Sequence, residues 1–161
     1  MIIWAHGLWG NPNGSKVTAI RDSGIKINSP DFNGMELGER VELLDNLVSK
    51  EDVTLVGSSY GGLACALVAQ KYPENVNGML LLAPALHLPE SPNDKPEELI
   101  APSNFPVTII HSFTDEIVPI SASKDYIKRS GKNLRLIEVE DSPVLENSFS
   151  VIISELNKLI D

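Results

Sequence analysis

The chain has 161 residues, enough for one domain with a sizeable core, and its 42% apolar and 22% charged residues are those of an ordinary globular protein. Its formal net charge of −9 opposes binding to nucleic acid and to anionic lipid. No apolar run approaches the ~20 residues that span a bilayer, no basic leader precedes Ile2-Ile3-Trp4, and the one cysteine excludes an internal disulfide, so a cytoplasmic location without a membrane partner is expected.

In chain order, the first predicted element is a strand, Ile2–Ala5, followed by His6-Gly7-Leu8. Gly24 after Ser23 has the look of a helix stop, and Ile25–Asn28 reads as a second strand. Leu37, Val41, Leu44 and Val48 repeat with helical spacing. Val53–Val56 is a third strand, apolar on consecutive residues as expected where both faces are covered. An apolar helix, Leu63–Gln70, follows and contains Cys65, read as a small buried hydrophobe rather than a reactive thiol. Val76–Leu82 and Val107–His111 are the fourth and fifth strands. Between them Pro84–Pro106 holds six prolines, too many for a regular element and too long for an idle connection. Gly131 after Ser130 repeats the stop signal, Leu134–Val139 is the sixth strand, and Phe149, Ile152, Ile153, Leu156 and Ile160 mark a last helix.

Strand and helix alternate throughout, which predicts one α/β domain over 1–161: a three-layer α/β/α sandwich with about six parallel strands and right-handed crossovers. No repeat or low-complexity tract interrupts it.

The chemistry lies in Gly57-Ser58-Ser59-Tyr60-Gly61, a G-x-S-x-G run set between the third strand and a helix. That context is what a nucleophilic serine needs. A strained strand-to-helix turn lifts the hydroxyl to the carboxyl edge of the sheet, and the glycines let strand and helix approach closely. The competing reading is a Gly-rich turn that binds an anion at a helix N-terminus. The loop after the first strand and the residue after the serine are then the expected oxyanion donors, here the Leu8 and Tyr60 amides, each worth about 3 kcal/mol of transition-state stabilisation. Asp115, in the loop after the fifth strand, falls at the same sheet edge and suits the acid that orients a histidine.

The motifs Ala5-His6-Gly7, Gly57-Ser58-Ser59-Tyr60-Gly61 and His111-Ser-Phe-Thr-Asp115-Glu-Ile-Val-Pro119, in that order, resemble small capless α/β-hydrolases of the dienelactone-hydrolase-like and esterase-like groups. The resemblance implies a reduced α/β-hydrolase fold, strand order 2-1-3-4-5-6, no separate cap domain, and a catalytic histidine in the loop after the last strand. In Glu140-Asp141-Ser142-Pro143-Val144-Leu145, Pro143 occupies that histidine's place, and no histidine follows His111. Ser142-Pro143 reads instead as a helix cap and first helical residue.

Two functions stay open. One is a serine hydrolase of small esters or thioesters with weak or unusual activity, because a serine hydroxyl needs a base and losing a triad member costs roughly 10⁴ to 10⁶ in turnover. Of the three histidines, His111 sits about two strand spacings away, and His6 belongs to the oxyanion loop. His87, after the strand next to the serine, has the shortest reach as a substitute base. The other is a non-catalytic pseudohydrolase that binds a small molecule or a protein partner. Leu8, Trp9, Tyr60, Leu86 and Phe113 would line the pocket in either case. No metal ligand set or cofactor motif is visible.

Overall fold

The computed structural model describes residues 1–161, and every layer of it can be traced to side-chain alternation in the strands. Five strands, β1 (Ile2–Ala5), β2 (Val53–Ser58), β3 (Val76–Leu82), β4 (Val107–Ser112) and β5 (Leu134–Val139), form one parallel sheet in the order β1-β2-β3-β4-β5. Successive residues of a strand point to opposite faces. Ile3, Leu55, Met79, Leu81 and Ile109 therefore pack in one core with helices α2 (Leu37–Val48), α3 (Tyr60–Lys71) and α4 (Ile120–Arg129). Trp4, Val56, Leu80, Leu82 and Ile110 pack in the other with α1 (Ser15–Asp22) and α5 (Phe149–Ile160). The result is helix, sheet, helix.

The sheet has five strands, not the expected six. Ile25–Asn28 makes only an isolated parallel bridge to β1, through Asn28 N–H to Ile2 O (2.8 Å) and Trp4 N–H to Asn28 O (2.7 Å). The next donor in that ladder would be the backbone nitrogen of residue 30. That residue is Pro30, which has no N–H, so the pairing ends after one residue.

The proline-rich stretch is not a free loop. Leu86, Leu99, Ala101 and Phe105 are buried in the larger core, and Arg129 of α4 clasps the carbonyls of Leu99 (2.6 Å) and Pro96 (2.7 Å). Ser142-Pro143 does not start a helix either; α5 begins at Phe149. Asp141 explains the difference. Its carboxylate takes hydrogen bonds from Ser142 N–H, Asn147 N–H, Asn147 Nδ2 and Ser148 Oγ, at 2.7 to 3.1 Å. Those four bonds curl the segment into turns, with Leu145 at φ 55°.

Because all five strands run parallel, the loops after β1, β2, β3, β4 and β5 leave one edge of the sheet. They carry Leu8, Ser59, His87, Asp115 and Pro143.

Candidate active site

Ser59 joins β2 to α3 with φ 51° and ψ −114°, a conformation that an L-residue adopts only when its surroundings impose it. The surroundings are visible. Ser59 N–H donates to Leu82 O (2.9 Å), and Ser59 O accepts from Leu63 N–H (3.1 Å) and from Ala85 N–H (3.0 Å). Glycine is required on both sides of the turn. A Cβ on Gly61 would stand 2.1 Å from Ala5 O, and one on Gly57 would stand 2.7 Å from Gly62 Cα and 2.8 Å from Cys65 Sγ. Helix α3 thus lies against β1 and β2 closer than any side chain would allow.

The Leu8 loop is held from below. His6 is buried; its Nε2 accepts Phe32 N–H (3.0 Å), which leaves Nδ1 to donate to Gly7 O (2.8 Å). Arg40, also buried, sends Nη1 to His6 O (2.6 Å) and Nη2 to Gly7 O (3.3 Å), and its guanidinium lies 4.9 Å from the centre of the Tyr60 ring. One side chain therefore ties the loop after β1 to the residue after Ser59. Sequence reading passed over Arg40, although it falls on the apolar face of α2 between Leu37 and Leu44, where a charged residue is out of place. In this clamped loop and the turn, neither Leu8 N–H nor Tyr60 N–H is used by the turn and loop hydrogen bonds of the fold. The Tyr60 hydroxyl points away, to Glu90 (2.5 Å), and burial together with that carboxylate pushes it up to about 12.

A cavity of about 430 Å³ opens above the sheet edge. Leu8, Trp9, Ser59, Tyr60, His87, Asp115 and Pro143 all line it, as do Lys16, Ile117 and Val144. Two expected lining residues do not. Leu86 is fully buried in the core and Phe113 is exposed outside the cavity. Of the adjacent pair Leu86-His87, Leu86 turns into the core and His87 faces the cavity. Lys16 escaped sequence reading because nothing in Ser15-Lys16-Val17 marks it; only the packing of α1 on α5 brings it here.

Asp115 has a divided carboxylate. Oδ1 accepts Ile117 N–H and Val118 N–H, both at 2.9 Å. Oδ2 is buried and has no hydrogen-bond partner. His111 Nε2 lies 3.4 Å from it, but that nitrogen is 2.9 Å from Val118 O, an acceptor only. Nε2 therefore carries the proton and gives it to Val118, and Nδ1 accepts the Ser123 hydroxyl (2.8 Å). Both ring nitrogens are engaged below the cavity floor, so His111 has none to offer Ser59. Burial, with His87 adding to it, lowers His111 below 6.5 against the opposing pull of Val118 O and Asp115. Cys65 is buried and its thiol is pushed up to about 12, which makes it a packing residue.

Comparison with known proteins agrees with this fold. A family described as alpha/beta hydrolase fold matches residues 20–103, more than half of the chain. Methylesterase 2 of Arabidopsis thaliana is 25% identical over 126 residues, which are 74% of this chain; the chain spans about half (48%) of that relative's length. Among solved structures, an alpha/beta-superfamily protein from Xanthomonas campestris pv. campestris superposes with a TM-score of 0.78 at 23% identity, covering 99% of this chain and 96% of that one. Mouse alpha/beta hydrolase domain-containing protein 10 does so with a TM-score of 0.77 at 22% identity, covering 99% and 88%. With a parallel sheet, a serine at a strained strand-to-helix turn and a family match across its first half, the chain belongs to the alpha/beta hydrolase fold family.

Proposed function

We propose that the protein is a serine esterase of small carboxylic esters or thioesters, with Ser59 as nucleophile and the Leu8 and Tyr60 amides as oxyanion donors. The observation that carries this reading is the strained Ser59 turn, φ 51°, opening into a cavity that both amide-bearing residues line. Strain of this kind is kept where function needs it. In the reaction, Ser59 Oγ attacks the ester carbonyl carbon and loses its proton to a base. The oxyanion forms, then collapses, and the leaving alcohol or thiol takes the proton back. Water, deprotonated by the same base, attacks the acyl-Ser59 carbonyl and releases the acid and free Ser59.

The base we assign is His87. The loop that carries it is tied to the turn by the bond from Ala85 N–H to Ser59 O, two residues upstream. Its side chain is exposed on the cavity wall. Substrate closure or one bridging water would connect it to Ser59 Oγ. The unpartnered Asp115 Oδ2, with Pro143 beside the same cavity, favours a second reading, a pseudohydrolase that binds a ligand without turning it over.

Hydrolysis of p-nitrophenyl acetate and labelling by a fluorophosphonate separate the two. The enzyme reading expects a Ser59 phosphonate adduct in the intact-mass spectrum, loss of it in Ser59→Ala, and a drop in ester turnover of about 100-fold or more in His87→Ala. Absence of an adduct on the folded wild-type protein would establish the binder. Full activity in His87→Ala would remove His87 and leave Glu140 or the substrate as proton acceptor, since the Asp141 carboxylate is filled by four donors of its own turn.

A further inference from the structure

Lys16 stands at the cavity wall as an unused cation. Its ammonium has no carboxylate at ion-pair distance and no hydrogen-bond acceptor, although Glu90 and Asp115 line the same cavity. Glu90 is engaged by the Tyr60 hydroxyl, and Asp115 Oδ1 by two backbone N–H groups. Asp141 is the carboxylate whose field reaches Lys16. Its oxygens are already filled by four donors from its own turn, so it attracts Lys16 without pairing with it. The amine is half-buried, and removing a cation from water without a partner is costly. An anion arriving in the cavity would recover that cost.

We infer that the ligand of this cavity carries a carboxylate that pairs with Lys16, so that the Ser59 site takes esters of monoanionic acids or alcohols. This inference rests on the ester reading for the word ester only; the carboxylate pairing stands for a bound ligand of either reading. A single charge is specified because one lysine faces a cavity that also holds Glu90 and Asp115, which would repel a dianion. Half of the lining residues are hydrophobic, with Trp9, Ile117 and Val144 at the rim, so the rest of the ligand is apolar. Burial lowers Lys16 below 10.5, against the opposing pull of Asp141, so the preference for the anion is expected to fade at a lower alkaline pH than a free lysine would give.

The test uses binding, not turnover, so that failure of the esterase reading leaves it intact. Phenylacetate and its neutral isostere phenylacetamide are titrated calorimetrically into the wild-type protein, Lys16→Met and Lys16→Arg, with the thermal midpoint of each variant measured alongside. The expected result is a preference for phenylacetate of about tenfold or more in the wild type, kept in Lys16→Arg and lost in Lys16→Met. Equal affinity for both probes in the wild type, or the same preference in Lys16→Met, would overturn the proposal.

Discussion

Asp115 Oδ2 is the residue-scale anomaly of this site, a buried carboxylate oxygen without a donor. Such an atom costs on the order of 1–3 kcal/mol, more when charged. In a complete triad that oxygen would receive the imidazole N–H. Pro143 lies on the same cavity wall and cannot donate even a backbone N–H. Replacing Pro143 with His should therefore supply both the donor for Asp115 and a base for Ser59. The expected outcome is a gain in p-nitrophenyl ester turnover on the order of 100-fold, read as kcat with the thermal midpoint as a folding control. An unchanged kcat in a folded variant would mean that the loop holds position 143 out of reach. Ser59, Asp115 and Pro143 stand out in the sequence because each sits in a run of marked residues, and all three line one cavity. Sequence reading missed Arg40 and Lys16 because their roles arise from packing between distant elements. The contact of Arg40 with His6 spans 34 residues.

At the scale of elements, the turn from β2 into α3 is fixed by close approach more than by hydrogen bonding. Gly61 sits where a methyl group would meet three backbone atoms, Ala5 O at 2.1 Å, Ala5 C at 2.5 Å and His6 O at 2.5 Å. Backbone cannot swing aside as a side chain can, so Gly61→Ala should cost about 3 kcal/mol. For a chain of this size that is a fall in thermal midpoint of roughly 6 to 12 °C. Gly38→Ala, where the added carbon meets nothing within 4 Å in the first turn of α2, is the matched control and should not lower the midpoint. The bounds of β1, β3 and β5 match the sequence reading: β1 and most of β3 are apolar runs covered on both faces, and β5 is bounded by apolar Leu134 and Val139 although Arg135 and Glu138 interrupt it. The elements misread were those decided by one polar or backbone atom. Ile25 and Ile27 have strand-like side chains and do pack on the second core, but the missing N–H of Pro30 stops the ladder. Ser142-Pro143 has the sequence of a helix start, but four bonds to the Asp141 carboxylate bend it into turns first.

For the whole molecule, the site's architecture sets the response to acid. His111 lies in β4 and Asp141 in the segment after β5, and both are shifted in the direction that favours folding only when they are unprotonated. His111 is held below 6.5, first by burial, with His87 as a further positive neighbour; the facing groups that oppose this are Val118 O and Asp115. The unfolded chain therefore binds a proton at this position at a higher pH than the folded one does. Stability from His111 is complete above about pH 6.5 and drains away as pH falls below it toward the folded value. For Asp141, burial alone would raise the carboxyl, but Ser148, Ser142 and Asn147 together hold it below 3.8. Its contribution survives acidification to about pH 3.8 and is lost only below that. Two separate losses are expected in a plot of thermal midpoint against pH, one beginning in the histidine range and one in the carboxylate range. His111→Asn should flatten the first and leave the second, and Asp141→Asn should do the reverse. A first limb of equal slope in wild type and His111→Asn would show that this loss does not arise from His111, because a group that binds protons equally in the folded and unfolded chain adds no slope.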